Sequence, residues 1–139
     1  MSKYAIATWS GTGKEGKGSI STETQVLSNS PFTFATRFGE AKDGTNPEEL
    51  IAAAHAGCFS MKLSFVLNEA GFTAEDIETR CDISFADGAI SKSHLSVRAK
   101  VPGISPQKFK ECAENAKVNC PISKSLNSKI EVTMDAVLH

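Results

Sequence analysis

The sequence predicts an α+β domain of antiparallel β-ribbons and a long helix buried on most faces. Three observations carry that prediction. Alternating, β-branched segments lie at both ends of the chain, one long apolar segment carries helix-start signals, and no strand–helix–strand series runs through the sequence. With 139 residues, 40% of them hydrophobic, the chain can build one core of ordinary size, so residues 1–139 are read as a single domain.

The elements follow in order. "YAIATW" (Tyr4 to Trp9) and "SISTETQVL" read as strands separated by the glycine-rich turn "SGTGKEGKG", and "FTFATRF" (Phe32 to Phe38), after Pro31, as a third strand. Asn46 is a good N-cap, Pro47 suits the first helical position, and Glu48 and Glu49 complement the positive end of the helix dipole. From Leu50 to Leu67 the residues are apolar or small almost all round, with Lys62 the only formal charge, and Gly71 supplies a stop. This predicts a helix buried on most faces. His55, Ser60, Lys62 and Ser64 near its middle, and the lack of aromatic or basic flanks, argue against a transmembrane span.

"IETRCDISF" (Ile77 to Phe85), the turn "ADG" and "AISKSHLSVRAKV" make a hairpin with Leu95, Val97, Ala99 and Val101 on one face. Ser105-Pro106 then starts a second helix through about Val118, with Phe109, Cys112, Ala113 and Ala116 on one stripe. A short helical turn after Pro121 and a last strand, "KIEVTMDAVL", close the chain. A monomer of this size has little surface to spare for covering so apolar a helix on every side, and a partner subunit is one ordinary solution.

Charge excludes some partners. Fifteen basic against sixteen acidic side chains leave no electrostatic footprint for nucleic acid or an anionic membrane. The first residues lack the apolar run of a signal peptide, which makes a cytoplasmic location the expectation. In that reducing compartment Cys58, Cys81, Cys112 and Cys120 are free, catalytic or metal-bound rather than structural disulfides, and with no C-x-x-C knuckle a structural zinc site is not expected.

Each candidate residue has a structural and a chemical reading. Cys58 lies among Ala52, Ala53, Ala54, Ala56 and Gly57. As structure it is a core cysteine. As chemistry it is a nucleophile, which needs a cation or other thiolate-stabilising group nearby. His55, one turn earlier, is a satisfied interior histidine, a base, or half of a metal site, for which neither His94 nor His139 is an obvious completing ligand. Arg37 is a solvated strand-end residue or the permanent cation a thiolate requires. Glu48 and Glu49 are explained by the helix dipole, and ten residues of helix, about 15 Å, separate Glu48 from Cys58. If Glu48 serves the thiol it does so through Arg37, from a partner chain, or across a broken helix. Cys120, before Pro121, falls at the start of a short helix, which favours an accessible thiolate, whereas Cys81 and Cys112 read as packing residues.

"TNPEELIAAAHAGCFSM", with the later "NCPISKSL" and the upstream "TRF", strongly resembles the OsmC family of thiol peroxidases, relatives of the organic hydroperoxide resistance proteins. The resemblance spans essentially the whole chain, and the histidine of "AAHAGC" favours the OsmC branch. It implies an α+β fold with antiparallel β-sheets wrapped around a long central buried helix, an intertwined homodimer with interfacial active sites, Cys58 as peroxidatic cysteine, Cys120 as resolving cysteine, Arg37 as thiolate activator, and Glu48, rather than Glu49, as its orienter. The implied reaction reduces an organic hydroperoxide through a Cys58 sulfenic acid and a Cys58–Cys120 disulfide, reopened by a dithiol reductant, with no metal, haem or flavin. The other class left open is a non-enzymatic binding protein for a small lipid-like ligand.

Overall fold

The structure, a computed structural model, describes residues 1–139 and divides into two compact units, Met1–Leu50 and Ile51–His139.

In the first unit β1 (Ala5–Ser10), β2 (Lys17–Thr22) and β3 (Ser30–Phe32) form an antiparallel sheet in that order. Gly18 lies where a Cβ would overlap the rings of both Trp9 and Phe32, so its missing side chain lets these rings pack with centroids 5.2 Å apart. The strand expected over Phe32 to Phe38 ends at Phe32, and Phe34–Phe38 is a short helix, α1. The cause is a reciprocal cap. Thr33 Oγ1 accepts from the Thr36 N–H at 3.2 Å, while the Thr33 N–H donates to Thr36 Oγ1 at 2.9 Å. Two threonines three positions apart thus satisfy helix-start donors and override the strand propensity of their neighbours.

Helix α2 (Pro47–Glu69) begins where expected, with Asn46 Oδ1 accepting from the Glu49 N–H at 2.7 Å. It is not buried on most faces. His55, Phe59, Leu63, Val66 and Leu67 form one buried stripe at helical spacing, whereas Met61 and Phe65 are 65% and 58% exposed.

In the second unit β4 (Asp76–Ala86) and β5 (Ala89–Lys100) are joined at Asp87 and Gly88, whose φ of 54° and 80° suit a two-residue hairpin turn. After β5 come α3 (Pro106–Asn119), α4 (Pro121–Ser125) and β6 (Glu131–Leu138). β6 pairs parallel to β5, so this sheet is mixed rather than antiparallel throughout. The helices α3 and α4 act as the crossover that returns the chain in the same direction. Leu95, Val97, Ala99 and Val101 are buried as the alternation predicts, and they share one apolar cluster with the α2 stripe and with Phe109, Ala113 and Ala116 of α3.

Candidate active site

Cys58 projects from α2 one turn before Lys62, which places both on one helix face. Its counterpart comes from the far end of α3. The Cys120 N–H still bonds to the Ala116 carbonyl at 2.9 Å, but Pro121 cannot continue that ladder and disfavours a helical backbone at the residue before it. Cys120 therefore turns to φ −58°, ψ 124° and serves as the joint between α3 and α4. At that joint its thiol donates to Cys58 Sγ at 3.0 Å.

The accessible position expected for Cys120 is overturned. It is 0% exposed, because its side chain points into the core rather than out along the helix end. Cys58 remains half-buried and borders a cavity of about 400 Å³ lined by Gly57, Met61, Lys62, Phe65 and Pro121. Burial pushes the Cys58 thiol above its ordinary range, and the neighbouring Cys120 thiol adds to the rise. The Ile122 backbone N–H and the Lys62 ammonium act the other way, by favouring the thiolate. Burial wins.

His55 is fully buried and bonded at both ring nitrogens. Nδ1 lies 2.6 Å from Ser93 Oγ on β5, and Nε2 lies 2.7 Å from Ser123 Oγ on α4. Burial lowers its pKa, so the ring is held neutral, with one nitrogen donating and the other accepting. Of the readings open to it, the satisfied interior histidine is the one observed. Cys81 Sγ sits 3.2 Å from Ser93 Oγ at the edge of this cluster, and Cys112 is buried in the α3 stripe. His94 pairs with Asp135 and Thr133, and His139 with Asp76.

In the first unit Arg37, on α1, and Glu48, in the opening turn of α2, form a forked pair. Nη2 and Nε donate to Glu48 Oε1 at 2.8 and 3.0 Å, and Nε reaches Oε2 at 3.2 Å. The guanidinium also lies 4.9 Å from the Phe38 ring centroid, at a cavity of about 500 Å³ walled by Trp9, Phe32, Phe34 and Phe38. Glu48, not Glu49, holds the arginine, since Glu49 accepts from Thr45 Oγ1 at 2.8 Å. The short helix created by the threonine cap is what aims Arg37.

Four partners escaped the sequence reading. Lys62 was visible from its four-residue spacing to Cys58, but Ser93, Ser123 and the Ile122 N–H carry no local signal because each meets its partner only through the fold.

Two thiols from distant parts of the chain, facing each other beside an apolar cavity, have the build of a thiol-redox protein. The chain belongs to the OsmC-like protein family, whose model matches residues 39–135. It is 50% identical over 137 residues to peroxiredoxin OsmC of Escherichia coli K12, covering 96% of this chain and 94% of that protein. The crystal structure of the organic hydroperoxide resistance protein OhrB of Bacillus subtilis aligns with a TM-score of 0.70 at 26% identity, covering 96% of this chain and 98% of that one. An OsmC-like protein from Mycoplasma pneumoniae, 14% identical, shares the fold with a TM-score of 0.77 over 99% of this chain and 97% of that one.

Proposed function

We propose that the chain is a cysteine peroxidase that reduces organic hydroperoxides to alcohols. The observation that carries this reading is the 3.0 Å approach of Cys120 to Cys58 at the mouth of an apolar cavity. Kinship with a peroxiredoxin and with organic hydroperoxide resistance proteins makes peroxide reduction the supported class of reaction.

The Cys58 thiolate attacks the terminal oxygen of the hydroperoxide, the O–O bond breaks, and the alkoxide takes a proton and departs as alcohol. Cys58 is left as a sulfenic acid. Cys120 then forms an S–S bond with Cys58 and the sulfenic oxygen leaves as water. A dithiol reductant restores both thiols by two exchange steps. The second sulfur starts only about 1 Å beyond the disulfide bond length of about 2.05 Å.

Because burial raises the Cys58 pKa, the first step needs positive charge beyond Lys62. We assign that role to Arg37, with Glu48 fixing its fork. A guanidinium stays charged throughout and stabilises both thiolate and departing alkoxide. The Met61 and Phe65 walls favour an alkyl hydroperoxide, since each buried methylene contributes about 0.8 kcal/mol.

The family match runs across the boundary between the two units, which supports reading residues 1–139 as one OsmC-like domain. The exposed Met61 and Phe65 support a homodimer in which a partner covers that face of α2.

Incubation with cumene hydroperoxide and a dithiol is the test. Catalytic peroxide loss with transient oxidation of Cys58 is expected. Binding of the peroxide without turnover, and with every thiol intact, would instead make the chain a carrier of lipid-like ligands.

A further inference from the structure

A buried histidine bonded at both ring nitrogens holds two partners in fixed positions. His55 ties together two elements that no backbone ladder joins. Its Nδ1 is anchored at 2.6 Å to Ser93 Oγ, itself fully buried on β5, and its Nε2 reaches Ser123 Oγ at 2.7 Å. The anchored end is rigid. The other end grips a weakly held segment.

That segment is α4. It has five residues, none fully buried, and no side-chain cap at its start, and at its ends the Lys124 N–H donates to the Cys120 carbonyl and the Leu126 N–H to the Ile122 carbonyl. Ser123 lies three residues after Cys120, within the same turn, and the intervening Ile122 directs its N–H to Cys58. We infer that His55 is a positioning residue for the resolving thiol: through Ser123 it clamps the first turn of α4 where Cys120 Sγ and the Ile122 N–H both face Cys58.

The clamp acts on the second chemical step. Once Cys58 becomes a sulfenic acid, its new oxygen must leave as Cys120 closes from behind, and any drift of α4 lengthens the life of the sulfenic acid. Correct placement of two reacting groups is worth orders of magnitude in rate. A sulfenic acid left waiting is exposed to a second peroxide and oxidises irreversibly to sulfinic acid. This inference rests on the proposed thiol chemistry and adds a residue whose bonds go to Ser93, Ser123 and the Cys81 thiol rather than to either reacting sulfur.

The test is a single turnover with one equivalent of cumene hydroperoxide, quenched at intervals with dimedone and mapped under non-reducing conditions. Ser123→Ala removes the clamp from a helix with no fully buried residue, while Ser123→Thr keeps the hydroxyl. We expect Ser123→Ala to form the Cys58–Cys120 disulfide about five- to tenfold more slowly, the worth of one buried hydrogen bond. The dimedone adduct should rise in proportion, and Ser123→Thr should recover most of the wild-type rate. A wild-type disulfide rate in Ser123→Ala, or a Ser123→Thr as slow as the alanine variant, overturns the clamp and leaves the peroxidase reading standing. Failure of the unmodified chain to form the disulfide at all overturns both.

Discussion

Cys120 Sγ stands 3.0 Å from Cys58 Sγ, although the two residues are 62 positions apart in the sequence. One is half-buried beside a cavity and the other wholly enclosed. That asymmetry separates their expected roles.

Cys58→Ser should abolish peroxide reduction. Cys120→Ser should still permit one oxidation per chain and leave a sulfenic acid that dimedone traps at Cys58. Mass spectrometry after one equivalent of peroxide distinguishes them, and undiminished turnover in both variants would contradict the assignment.

Arg37→Ala should lower kcat/KM for cumene hydroperoxide by about 100-fold, the scale of losing one preorganised donor to developing negative charge. Arg37→Lys should recover little, because an ammonium cannot reproduce the fork on Glu48. Glu48→Gln should fall between wild type and Arg37→Ala. Steady-state kinetics of the three variants under one set of conditions checks the order.

Lys62→Met should shift the pH profile of Cys58 alkylation upward. The ammonium favours the thiolate, and its removal leaves the opposing effect of burial unbalanced. Rates of iodoacetamide labelling across a pH series, followed by peptide mapping of Cys58, measure the displacement. An unchanged profile would remove Lys62 from the electrostatics of the thiol.

His55 should make the fold sensitive to acid. Its pKa in the folded chain lies below the ordinary 6.5, so the unfolded chain binds the proton more readily. The stabilisation from keeping this ring neutral is complete above about 6.5 and is lost as the pH falls toward the folded-state value, with a slope of at most about 1.4 kcal/mol per pH unit for one proton. Urea midpoints measured from pH 8 down to 5 should decline over that window, and the His55 ring resonances should titrate below 6.5. A ring that titrates at or above 6.5 would contradict this.

Much of this architecture is legible locally. The Asn46 cap, the hairpin turn at Asp87-Gly88, and the α3 stripe from Phe109 to Ala116 are short-range patterns, and the structure places them where those patterns point. Reading failed where a local pattern had two outcomes. Phe32 to Phe38 has strand composition, yet the hydroxyls of Thr33 and Thr36 pair three residues apart and turn it into a helix. The apolar run of α2 does not reveal which sides are covered, and the direction of β6 depends on a crossover rather than on its own residues. The candidate site divides in the same way. Residue types and surroundings nominate Cys58 and Arg37, and only the family resemblance picks out Glu48, whereas the enclosure of Cys120 and the two serines on His55 arise from tertiary packing.

The proline after Cys120 has one more effect, on the path of electrons through the protein. By turning the thiol inward it leaves Cys58 as the sulfur open to the cavity. In the proposed cycle, an incoming dithiol can therefore attack the bridge only at Cys58, and Cys120 is always the leaving group. In that proposed cycle oxidant and reductant share a single doorway, so bound peroxide and bound reductant exclude one another and turnover proceeds by strict alternation.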